Sequence, residues 1–335
     1  MPHRIAVILA AFFSLIILVQ GHEHTLHQST EAARAARARL AAQAEAPGEA
    51  TGSVCHLTIN LQDAESGQIL PGLVRATNLD SGKFILLTEG VQRESFWYAV
   101  SEGAEVSVPP VRLRIEAFHG LETAETTVEL DLSQAQKQEV NVKLNRFYDS
   151  RGQRLRSGNT HLHLRNLSRV EAERYLRVVA QADDLDLLFV SYLRRIPGEQ
   201  TYISNSFTSQ DLERLSEESV LLSNGEEHRH NFGAGGEGYG HVMFLNLPKL
   251  IEPVSIGPGI MGEGTDGLPL QEGIRAAREQ QASVVWCHNS FGLEDIPNWI
   301  AGLIDAQNIF DGGSQGDYDD TFYRYLNAGL RVPFS

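Results

Sequence analysis

The chain has 335 residues, 42% hydrophobic and 21% charged, which is enough apolar material for more than one core and too much for a disordered tail. Its formal net charge of −15 sets the average surface against a polyphosphate backbone and excludes extended nucleic acid as the expected partner. Two cysteines, Cys55 and Cys287, are too few for a disulfide framework, and both thiols are expected to be buried.

In chain order, "MPHRIAVILAAFFSLIILVQG" places Arg4 before an apolar run from Ile5 to Val19, shorter than the roughly 20 residues of a bilayer span. Residues 1–21 therefore read as a secretory signal peptide, with a mature chain starting near Gly21 or His22, the alternative being an uncleaved anchor. The product is expected to be secreted or periplasmic, with no membrane contact after processing. Residues 22–53 form an Ala/Arg-rich linker, read as a solvated helix running into a Pro/Gly spacer. His22, His24 and His27 could scavenge a metal but suit a spacer better.

From residue 54 to 145 the pattern becomes short alternating runs such as "HLTINLQD", "TTVELDL" and "EVNVKL", punctuated by Ser66-Gly67 and Asp80-Ser81-Gly82. That rhythm predicts an all-β sandwich. Its stretch "LQDAESGQILPGLVRATNLDSG" resembles transthyretin-like and carboxypeptidase-regulatory-like modules, which implies an accessory role. No catalytic constellation lies within it.

Residues 146–335 change rhythm again. Ser168 and Glu171 form a capping-box signal for a helix over "SRVEAERYLRVVAQA", followed by the apolar run "LDLLFV". Strand-like "VLLSNG", "HVMFLNL" and "SVVWC" then alternate with helical "SQDLERLSEE", "LPLQEGIRAAREQQ" and "DTFYRYLNAG". Strands alternating with helices predict an α/β fold with a parallel sheet or βα barrel.

Such folds gather reactive groups at the C-terminal ends of strands. His161 and His163, spaced by two in "SGNTHLHLRN", would point the same way from an extended chain. Glu227 ends "VLLSNGEE", His241 opens "HVMFLNL", and His288 follows "SVVWC". Four imidazoles and one carboxylate at one mouth suit zinc, manganese or iron, and Glu227 could bridge two ions. His228 and His230 flank Arg229 and are read as hydrogen-bond donors behind the ligands, substrate contacts or surface-loop residues rather than ligands. "GAGGEGYG" reads as a flexible loop, "SIGPGIMGEGTDGLP" as a lid-like loop carrying Asp266, and "DGGSQGDYDD" as a solvated acidic turn.

Together "THLHL", "NGEEHRHN", "GHVMFLNL" and "VVWCHNS" resemble successive motifs of the PHP metallohydrolase superfamily, closest to its CehA/McbA-like branch. The resemblance covers Gly158 to the end. It implies a distorted seven-stranded βα barrel in which His161, His163, Glu227, His241 and His288 hold two or more divalent ions. It further implies activation of water to cleave a phosphoester, carbamate or related ester in a small-molecule substrate. Two departures stand out. Where relatives carry an Asp-His pair, "LDLLFVSYLRR" offers Ser191, Tyr192 and Leu193. A further aspartate is expected after the strand-like "LRVPFS", so the barrel is expected to be C-terminally incomplete at Ser335. The absent Asp-His pair and the appended β domain motivate the alternative of a secreted binding or structural protein that kept the barrel and lost catalysis.

Overall fold

The computed structural model of the chain describes residues 39, 42–48, 52–194, 199–230, 239–255, 264–265, 267–287, 294–308 and 318–333. The proposed signal segment, the three N-terminal histidines, Asp266 and His288 lie outside these. The chain divides into two compact units. One holds the β-rich residues up to Ser157 together with Glu173–Asp186, and the other holds Gly158–Ala172 and the residues from Leu187 onward. Among the described residues no helix is long and apolar enough to cross a membrane.

In the β-rich unit, a four-stranded sheet is built around Cys55–Asp63, flanked by Lys137–Leu144 in parallel and Ala104–Val108 antiparallel. A seven-stranded sheet centres on Gly72–Asn78 and Arg112–Phe118. Alternation decides which side is buried. Cys55, Leu57, Ile59 and Leu61 point into one core that they share with Val74, Ala76, Leu113 and Ile115 of the other sheet. Each valine, leucine or isoleucine among them contributes about 1.5–3 kcal/mol relative to exposure. The solvated-spacer reading fails at its end. Ala44–Glu45 is a strand parallel to Phe84–Ile85, and buried Glu45 accepts hydrogen bonds from Asn78 Nδ2 at 2.5 Å and Ser81 Oγ at 3.2 Å.

The capping box forms as expected: Ser168 N–H donates to Glu171 Oε2 at 2.7 Å at the head of helix Arg169–Ala182. Asp184, just past this helix, collects Arg151 Nη1 at 2.8 Å, Arg146 Nη2 at 3.1 Å and His119 Nε2 at 3.3 Å. Burial alone would raise its pKa, but the hydrogen bond and charge of His119 and the Arg151 guanidinium hold it down at about 2. A depressed carboxyl adds stability that is present above its unfolded pKa and lost as pH falls through the folded value. Wild type is therefore expected to outlast Asp184→Asn in thermal unfolding at pH 5 by about 1–2 kcal/mol, with the gap closing between pH 4 and pH 2. A gap independent of pH would show that the carboxylate charge is not its source.

The second unit is one six-stranded sheet in chain order: Gly158–Leu162, Leu187–Tyr192, Leu221–His230, Gly240–Leu245, Ser283–Trp286 and Ala306–Gln307. All run the same way except Gly240–Leu245, which is antiparallel to both neighbours. The βα-barrel expectation is therefore corrected: the sheet is mixed, strand outweighs helix among the described residues, and curvature reaches only a half-barrel. The connection between Leu221–His230 and Gly240–Leu245 is too short for a crossover helix, which takes on the order of ten residues or more, so the chain returns as a hairpin. The curl brings Asn308 Nδ2, just past the last strand, to 3.5 Å from Thr160 Oγ1 on the first. The expected strand over "LRVPFS" is also corrected. Residues 330–333 form no strand, although Gln307 N–H donates to the Pro333 carbonyl at 2.9 Å.

Alternation gives this sheet two unlike faces. Helix Leu270–Glu279 covers Val242, Phe244, Val284 and Trp286 through Leu270, Ile274 and Ala277. Met243, Leu245, Val285 and Cys287 pack together on the other side. Gly240 sits at φ +124°, where an added Cβ would lie 2.3 Å from Trp286 Cζ2, so only glycine lets the hairpin return beneath that indole. Helix Tyr318–Asn327 ends at Gly329, φ +77°, as a C-cap glycine should. It is anchored by Arg324 and Tyr325 on buried Asp295, with the Tyr325 hydroxyl 3.2 Å from Asp295 Oδ2 and 3.0 Å from Gln307 Oε1.

Candidate metal centre

The first strand irregularly shifts register between Asn159 and Leu162, and His161 N–H donates to Asn159 Oδ1 at 3.0 Å. The spacing of two still aims His161 and His163 together: their rings stand edge to face, centroids 4.9 Å apart, with Nε2 atoms 3.0 Å apart. Two strands away, Glu227 brings Oε2 to 2.9 Å from His163 Nε2 and 3.3 Å from His161 Nε2. Among the described residues this is the one group of three or more such side chains with ligand atoms this close.

Neighbours fix the chemistry of the donors. The Ser191 carbonyl, which can only accept, lies 3.1 Å from His163 Nδ1, so the ring proton sits there and Nε2 offers its lone pair. The Ser191 hydroxyl accepts Leu162 N–H at 3.2 Å and holds the strand end in place. Burial pushes the His163 pKa down, outweighing the nearby Glu227 carboxylate, and so favours the neutral ring a metal needs. Arg229 Nη2 grips the other Glu227 oxygen at 2.5 Å, with both side chains almost wholly out of water. The Arg229 backbone is itself clamped: its N–H donates to Ser255 Oγ at 3.0 Å and its carbonyl accepts Thr265 Oγ1 at 2.9 Å.

The residues fit a divalent ion. Atoms bound to one ion at about 2.0–2.1 Å stand roughly 2.9–3.4 Å apart, for angles between a right angle and the tetrahedral one. The observed 2.9, 3.0 and 3.3 Å fall within that span.

Of the five sequence-predicted ligands, His161, His163 and Glu227 converge. His241 faces the same side of the sheet, paired in register with Arg229, and is buried, but it is not in the three-ligand group. His288 lies outside the described residues; the strand leading to it is held where Cys287 N–H donates to the His241 carbonyl at 3.0 Å. Arg229 and Ser191 were not anticipated. The spacing of two between Glu227 and Arg229 was the available signal for the first, and a backbone acceptor such as Ser191 leaves none. His228 and His230 are not on a loop. They belong to the Leu221–His230 strand, fully buried on the face away from Glu227.

No protein-family model matches the chain, and no curated protein matches it.

Proposed function

We propose that the chain is an exported, metal-dependent hydrolase of phosphoester, carbamate or related ester bonds, as the PHP-like motifs suggest. The observation that carries this reading is the convergence of His161 Nε2, His163 Nε2 and Glu227 Oε2 within 3.3 Å. A divalent ion bound there would supply a Lewis acid that acidifies water and polarises the scissile bond. The chain's own part is positioning. The Ser191 carbonyl holds the His163 tautomer, and Arg229 fixes the carboxylate plane so that one Glu227 oxygen stays turned to the imidazoles. Zinc- or manganese-loaded full-length protein is expected to turn over generic phosphodiester or aryl-ester substrates. A metal-loaded protein inert toward all of them would overturn the hydrolase reading.

A specific observation favours a second reading, a binding protein on the same scaffold. The Ser191 carbonyl and hydroxyl are occupied in holding the first strand and Leu193 is buried, so the Leu187–Tyr192 strand end adds no hard ligand. One tightly enclosed ion with no turnover would support that reading.

A further inference from the structure

Glu226, His228 and His230 alternate with Glu227 and Arg229 along one strand, so they face the opposite side of the sheet, beneath helix Leu270–Glu279. His228 Nδ1 lies 2.7 Å from Glu226 Oε1, and the other Glu226 oxygen accepts Ile251 N–H at 2.9 Å. His230 Nδ1 lies 2.9 Å from the Leu268 carbonyl. Carboxylate and carbonyl can only accept here, so each ring carries its proton on Nδ1. Both Nε2 atoms then present lone pairs, and they face one another at 2.9 Å. Two lone pairs at that distance repel unless a cation sits beside both. The pattern of one histidine backed by a carboxylate and one by a carbonyl is how proteins orient metal-binding imidazoles.

The surroundings leave room for the ion. A cavity of about 210 Å³ opens on both rings and is bordered by Glu252, Glu272 and Gly273. A Cβ on Gly273 would stand 2.7 Å from His228 Nε2 and 3.3 Å from His230 Nε2. Glycine inside a helix costs about 1 kcal/mol relative to alanine, and here it keeps the two lone pairs clear. We propose that His228 and His230 form a second cation site, separate from the His161, His163 and Glu227 centre, taking one zinc-class divalent ion with Glu272 as a carboxylate on the cavity wall and water completing the shell. The ring nitrogens suit a borderline metal, and the 2.9 Å separation matches two ligands at about a right angle.

The test is zinc titration of the full chain carrying H161A and H163A, which removes the first centre and leaves this one. One zinc per chain is expected to remain. Adding G273A, which places a methyl group against both Nε2 atoms, is expected to weaken that zinc at least tenfold. Adding instead E272Q, a substitution at an exposed position, is expected to weaken it severalfold, with circular dichroism reporting the fold in each case. Retained zinc that ignores both G273A and E272Q would overturn the proposal. So would absence of zinc from the H161A/H163A protein, which would mean that a shared proton rather than a metal bridges the two rings. Either result leaves the first centre untouched, because that site is read from the wild-type difference.

Discussion

Replacing His161 and His163 together with alanine is expected to weaken divalent-metal binding at the Glu227 centre by more than about a hundredfold, since two of its three converging donors are lost. Hydrolysis of any ester that the wild type turns over should fall with it. The β-rich unit contains neither histidine, so its circular dichroism signal should stay. Metal content of wild type and double variant, measured after dialysis against the same zinc buffer, decides the matter. Equal occupancy in the two proteins would remove the paired histidines from any metal site.

Arg229→Met is expected to destabilise the metal-free protein by about 3–5 kcal/mol, because it strands the Glu227 carboxylate without its cation in a water-excluded place. Two companions make the effect diagnostic. Arg229→Met with Glu227→Gln removes both charges and should recover much of the loss. Zinc added to the single variant should restore stability as well, because an ion held by His161, His163 and Glu227 would compensate the same charge. Thermal unfolding with and without zinc reads both. A single variant that zinc does not rescue would argue that Glu227 is a structural partner of Arg229 and not a ligand.

What the sequence made legible follows from which residues carry a periodic signal. The spacing of two in "THLHL" was enough to aim two imidazoles, and the alternation in "HLTINLQD" was enough to place Cys55, Leu57, Ile59 and Leu61 in a core. "GEEHRH" has no apolar alternation because polar side chains are buried on both faces. Read by hydrophobicity, it looks like a loop, yet it is the interior of a strand. The reversed direction of Gly240–Leu245 was equally hidden, since a strand buried on both faces reads the same way in either direction. Only the shortness of the connection before it bore on that choice. The Ser191 carbonyl could not be anticipated, because every residue has one.

The chain-ordered sheet also sets the scale of the conformational search. Every strand in it pairs only with its neighbours in sequence, so no pairing has to skip over an intervening strand. The hairpin of Leu221–His230 and Gly240–Leu245 closes the shortest loop of all and places buried Arg229 directly opposite His241. Loop-closure entropy therefore favours its forming early, with the flanking parallel strands added outward from it. On that view the short glycine-bearing return, besides breaking the barrel pattern, gives the sheet its kinetic seed, and the strand that carries Glu227 is among the first to be held in register.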